Sequence, residues 1–229
     1  MKSPLGAGIL ATALVLSSAL VSANAPSTAV ASHHDISPTS GLLDNSRVAN
    51  EYAFRAAMRE LWEDHIVWTR QVIVSVIAGS PDASAAVDRL LRNQTDIGDA
   101  IRPFYGDAAG DRLTALLREH IIVAGTLLTT AKSGDTAAFG AASAEWYRNG
   151  DDIARFLASA NPNWPLSALQ VAMNTHLDTT LDEAVARLTG DWEGDVIAYD
   201  RVHDHILHMA DTLSEGIIAQ FPAAFARPR

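Results

Sequence analysis

Apolar residues recur at helical spacing along nearly the whole chain from residue 45 onward. Val48, Tyr52, Met58, Leu61, Trp62, Ile66, Val72, Ile73, Val76 and Ile77 mark one long stripe. Gly79-Ser80-Pro81-Asp82 ends it with a breaker and a cap for the next helix. The pattern predicts a first helix from Asn45-Ser46 to Ala78 and a second over 83–105, closed by Gly106. A third runs over 109–132, closed by Ser133-Gly134-Asp135, and a fourth over 136–160. Asn161-Pro162-Asn163-Trp164-Pro165 breaks the chain before a fifth helix over 166–188 and a sixth over 192–220, with Pro222 beyond its end. Nothing alternates with period two for long enough to read as a strand, so the fold class is all-α.

A repeat underlies these helices. His65, His120 and His176 stand 55 and then 56 residues apart, and Gly79, Gly134 and Gly190 each follow one of them by 14 residues. Asp82, Asp135 and Asp191 come next, each able to cap the following helix. The second helix of each pair then carries Arg92, Arg148 or Arg201, and four residues later Asp96, Asp152 or His205. The expected architecture is a six-helix bundle built from three αα-hairpins with a pseudo-three-fold internal repeat, over about 45–106, 107–163 and 164–222. A period of this length fits a closed bundle better than an open solenoid. Residues 223–229 read as a tail.

In such a bundle His65, His120 and His176 converge, and Asp96, Asp152 and His205 form a second ring near them. Four imidazoles and two carboxylates suit a divalent transition ion, Zn, Fe, Mn or Cu(II), because borderline ions accept mixed nitrogen and oxygen donors. Asp96, Asp152 and His205 adjoin the core positions Ile97, Ile153 and Ile206, about 100° round the helix, so they line the axis or meet solvent. His203, Asp204 and His208 crowd the same stretch of the sixth helix. With Arg92, Arg148 and Arg201 they are candidates for an outer shell that orients ligands, or for surface and buried ion pairs. Trp62, Trp68, Trp146, Trp164 and Trp192 read as packing residues, and Asp178, Asp182 and Glu183 as a solvated face.

Composition narrows the chemistry. The 229 residues carry a formal net charge of −10, and 48% are hydrophobic, which suits a folded acidic domain. The basic residues are scattered, so the positive stripe of a nucleic-acid binder is missing. There is no cysteine, which excludes disulfides, thiolate metal sites and a cysteine nucleophile. Met1-Lys2, the apolar run from Gly6 to Leu20 and the small residues after it predict a signal peptide, cut after Ala23 or, preferably, after Ala31. The run is shorter than the roughly 20 residues of a spanning helix, so no integral membrane domain is expected once it is removed. A disordered linker is expected over 32–44. A cut after Ala31 exposes Ser32-His33-His34, whose third-place histidine suits a square-planar Cu(II) or Ni(II) site.

The stretches Leu61-Trp62-Glu63-Asp64-His65-Ile66-Val67-Trp68-Thr69-Arg70, Leu90-Leu91-Arg92-Asn93 with Asp96-Ile97-Gly98, Pro103-Phe104-Tyr105-Gly106, and Met209-Ala210-Asp211 with Gln220-Phe221-Pro222 resemble a family of small bacterial helical proteins. The likeness extends over nearly all of the mature chain. The family's biochemistry is unestablished, and members carry labels such as glycosyltransferase or acetylglutamate kinase. The resemblance implies an all-helical fold. Neither label suits an exclusively helical chain, which has no strand-turn-helix phosphate cradle and no open α/β sheet. The reading that remains is an exported metal-binding protein for capture, buffering or sensing. A metal-dependent hydrolase or transferase using a metal-bound water is the alternative, and a structural or interaction module the third.

Overall fold

The computed structural model describes residues 38–226, with side chains from residue 45 onward. The expected signal peptide, the linker as far as residue 37 and the Ser32-His33-His34 site lie outside the described residues. Seven helices follow in order: α1 (Pro38–Ala78), α2 (Ala83–Tyr105), α3 (Asp107–Ser133), α4 (Thr136–Ala160), α5 (Leu166–Thr189), α6 (Trp192–Gln220) and α7 (Pro222–Phe225). Among the described residues there is no strand, and no helix is long and apolar enough to cross a membrane.

The helix ends follow from local chemistry. Gly134 and Gly190 take the left-handed conformation at φ +73° and +77°, which only glycine adopts without strain, and their N–H groups donate back into the last turns of α3 and α5. The Asp135 carboxylate accepts from the Ala138 N–H and that of Asp191 from the Gly194 N–H, each at 3.0 Å. Asp82 makes no such cap on α2.

Two boundaries differ from expectation. The linker expected over 32–44 gives way to helix from Pro38, because a proline in the first turn has no N–H to leave unsatisfied. Pro222 likewise opens α7 instead of a tail. Phe225 on α7 is buried, with ring centroids 5.3 Å from Phe54 and 5.7 Å from Phe104, so α7 is tied to α1 and α2.

Each helix from α1 to α6 packs on the next in chain order, α6 returns to α1, and α1 also reaches α3 and α5. The largest core cluster draws Met58, Trp62 and Ile66 from α1, Ile97 from α2, Leu116 from α3, Ile153 from α4, Met173 from α5 and Ile206 from α6. Burying each such side chain contributes about 1.5–3 kcal/mol. Trp192 departs from the packing role expected of the tryptophans: it is 61% exposed, with the Arg187 guanidinium over its ring.

Trp164 shows how tight the packing is. Its buried indole lies on Gly216 of α6, where an added Cβ would fall 1.9 Å from Nε1. Gly216→Ala is therefore expected to displace the indole and lower stability by about 1–3 kcal/mol. Urea unfolding followed by tryptophan fluorescence checks this, and an unchanged midpoint would contradict it.

Candidate metal centre

His65 on α1, His120 on α3 and His176 on α5 occupy the buried stripes of their helices, each flanked by an apolar neighbour at one helical turn: Trp62, Leu117 and Met173. Their exposures are 2%, 3% and 4%. The rings meet in the interior, with the centroid of His176 5.9 Å from that of His65 and 6.0 Å from that of His120. A fourth ring, His205 of α6, stacks 6.5 Å from His176.

A hydrogen bond orients one of the three rings, and a weaker contact meets a second. His120 Nδ1–H donates to Asn149 Oδ1 at 2.9 Å, while the Asn149 amide donates to the Leu116 carbonyl. That assigns the Nδ1–H tautomer to His120 and leaves its Nε2 lone pair for a ligand. His65 Nδ1 lies 3.3 Å from the Gln94 amide nitrogen, a weak contact, since that nitrogen already donates to the Leu90 carbonyl and to Asn93 Oδ1. His176 Nδ1 is buried with no hydrogen-bond partner among the described residues.

Burial keeps all three imidazoles neutral. It lowers the pKa of His65 to about 3, helped by the charge of His120, and that of His120 to about 4. His176 is pushed well down by burial and then by the charges of His65, His120 and His205. The trio lines two small cavities, one of about 40 Å³ bordered also by Thr69, Trp146 and Thr180, and a more apolar one of about 30 Å³. Among the described residues, no group of three or more His, Asp or Glu side chains stands ready-placed to hold a metal ion. No family model, curated protein or solved structure matches this chain.

The other expected ligands are not brought in. Asp96 is exposed, and Asp152 is ion-paired with Arg148 on the surface. Ile97 and Ile153 take the core positions, and the 100° step per residue turns the aspartates outward. Of that second ring only His205, with its longer side chain, reaches the trio. Arg148 joins Glu119 and Glu145, Arg201 joins Asp182 and Arg92 is exposed, so these arginines belong to the surface. His203 Nε2 meets Glu63 at 2.8 Å, Asp204 is exposed, and His208 Nδ1–H donates to the Asp204 carbonyl.

Three sets of polar residues escaped the sequence reading. Asn93 and Asn149 are fully buried and bond the Leu61 and Leu116 carbonyls, each four residues before a ring histidine. Each lies one turn before a core isoleucine, Ile97 or Ile153, which was the available signal. Gln94 also lies at 0% exposure. Glu183, expected on a solvated face, is likewise fully buried. It shares Arg70 Nη1 with Asp195, both at 2.7 Å. Burial pushes Glu183 up to about 7, against the pull of Arg70, while the hydrogen bond from Arg70 holds Asp195 below its usual value.

Proposed function

We propose that the chain is an exported metal-binding helical protein, in which three αα-hairpins related by a pseudo-three-fold repeat bring His65, His120 and His176 around one divalent ion. The observation that carries this reading is the meeting of three buried, neutral imidazoles, one of which keeps an unpartnered nitrogen. Plain packing gives no reason for histidine there, since an unsatisfied buried acceptor costs about 1–3 kcal/mol and an apolar side chain costs nothing comparable. A bound cation would satisfy those lone pairs. The repeat is supported by the histidine spacing and by the left-handed glycines closing α3 and α5. Export is supported by the residues preceding the domain.

Zinc places an imidazole nitrogen at about 2.0–2.1 Å, which sets ring centroids about 5–5.5 Å apart in a three-histidine site. The observed 5.9 and 6.0 Å, from His176 to His65 and to His120, exceed that spacing by under about 1 Å in those two pairs. With Asp96 and Asp152 outside, the donors are imidazoles, which favours Zn or Cu(II) over Mn and over the two-histidine-one-carboxylate pattern of Fe(II) oxygenases. The 40 Å³ cavity has room for a water or two but not for a substrate. That favours capture, buffering or sensing over hydrolase or transferase chemistry.

A ligand that binds only the folded state stabilises it by about 2.7 kcal/mol at 100 times its Kd. Zinc chloride is expected to raise the Tm of the chelator-stripped protein by several degrees and to leave His176→Ala unmoved. Equal responses in the two proteins would refute the site.

A further inference from the structure

The three ring histidines are too deeply buried to meet an ion from solvent, so a site there needs a way in. We infer that the ion passes through the groove between α5 and α6, handed inward by His205; this rests on the metal reading above.

His205 is half-buried and touches both sides of the barrier. Inward, its ring stacks on His176 with a 19° interplanar angle. Outward, it lines a surface cavity of about 220 Å³ together with His208, Trp164, Met209 and Thr212. Its Nε2–H donates to the Ala172 carbonyl at 2.8 Å, which leaves Nδ1 with its lone pair. His208, three residues on and so on the same face of α6, donates through Nδ1 and keeps its Nε2 lone pair. The two imidazoles form an outer landing place for the same class of ion.

A comparison within the molecule singles out this position. The carbonyl four residues before each ring histidine accepts a side-chain hydrogen bond from the next helix. At Leu61 and Leu116 the donors are Asn93 and Asn149, both fully buried amides with no nitrogen lone pair to offer a metal. At Ala172 the donor is His205, a metal-ligating group at the edge of solvent. Val202 stands one residue after Arg201, where Asn93 and Asn149 follow Arg92 and Arg148. The third helix pair thus lacks the closed amide and has an imidazole in its place, beside the ring of the trio whose buried Nδ1 has no partner among the described residues.

The test uses the full chain stripped by chelator and mixed with cobalt(II) chloride, with loading followed by visible absorption and release followed on adding chelator. His205→Gln keeps an N–H for the Ala172 carbonyl but has no lone-pair nitrogen. It is expected to bind the same one ion per chain with an affinity within about twofold of wild type, while loading and release both slow by about tenfold or more. Thr212→Trp, which fills the exposed mouth of the groove and alters no imidazole, is expected to slow loading in the same way and stands in if His205→Gln fails to fold. Wild-type rates in a folded variant would overturn the inference while leaving the metal site standing. So would a tenfold loss of affinity in His205→Gln at an unchanged loading rate, which would make His205 a permanent ligand. No cobalt bound by the wild type would overturn the metal reading itself.

Discussion

In the presence of chelator, the protein is expected to lose about 5 kcal/mol of stability between pH 6.5 and pH 4.5. The unfolded chain protonates its histidines near 6.5, while His65 and His120 stay neutral in the fold until about 3 and about 4, and His176 until well below the usual value. Stability from a depressed histidine is complete above 6.5 and is lost as pH falls toward the folded value. Three such groups remove about 4 kcal/mol per pH unit. Glu183 works in the opposite sense: raised to about 7, it favours the fold increasingly as pH drops from 7 to 4.5. It returns about 1.4 kcal/mol per unit, leaving a net loss of about 2.7. Folded domains have only about 5–15 kcal/mol in hand, so acid unfolding follows near pH 4–5. Urea titrations at pH 7.5, 6.5, 5.5 and 4.5 measure the slope, and His120→Gln, which removes about 1.4 of the net loss of about 2.7 kcal/mol per unit, should flatten it by about one half. A stability that holds constant down to pH 4.5 would mean that the imidazoles are not sealed from water.

Arg70→Met is expected to cost about 3–5 kcal/mol at pH 7.5, as removing one partner of a buried ion pair does. Glu183 and Asp195 have exposures of 0% and 1%, and Arg70 is the cation they share. Asp195 keeps Arg187 at 3.3 Å, whereas Glu183 Oε1 loses its 2.7 Å partner and Oε2 already has none. The penalty should therefore shrink at pH 5.5, where Glu183 takes a proton, and should shrink likewise in the Arg70→Met/Glu183→Gln double variant. Urea unfolding at the two pH values decides it. A loss under about 1 kcal/mol, the range of an exposed pair, would show that the network contributes no more than a surface contact.

The sequence made the helices legible because their breakers act locally: a glycine that must turn left-handed, an aspartate beside it, a proline without its N–H. It also singled out His65, His120 and His176, since apolar stripes force equivalent positions inward whatever the residue type. The second ring was less legible. Asp96 and Asp152 sit one residue from core isoleucines, and a single residue is enough to turn a side chain from the axis to solvent. Asn93 and Asn149 are hard to tell from solvent-facing residues, because most helical amides meet water, although their spacing from Ile97 and Ile153 puts them on the buried face. Glu183 stands seven residues after His176, on the same face, and reads as solvated only when Asp182 beside it is taken as its guide. Its partnership with Arg70, 113 residues away, depends on how α1 meets α5 and α6, and no local pattern encodes that. The short α7 was hidden by Pro222, which closes one helix and suits the first turn of another equally well.

The decisive measurement is the zinc content of the protein after dialysis against zinc chloride and then against metal-free buffer, by elemental analysis. The wild type is compared with the His65→Ala/His120→Ala/His176→Ala variant, with circular dichroism confirming that both remain helical. One zinc per chain in the wild type and none in the variant is the predicted result. Equal zinc in the two, or none in either, would contradict a metal site at the meeting point of α1, α3 and α5.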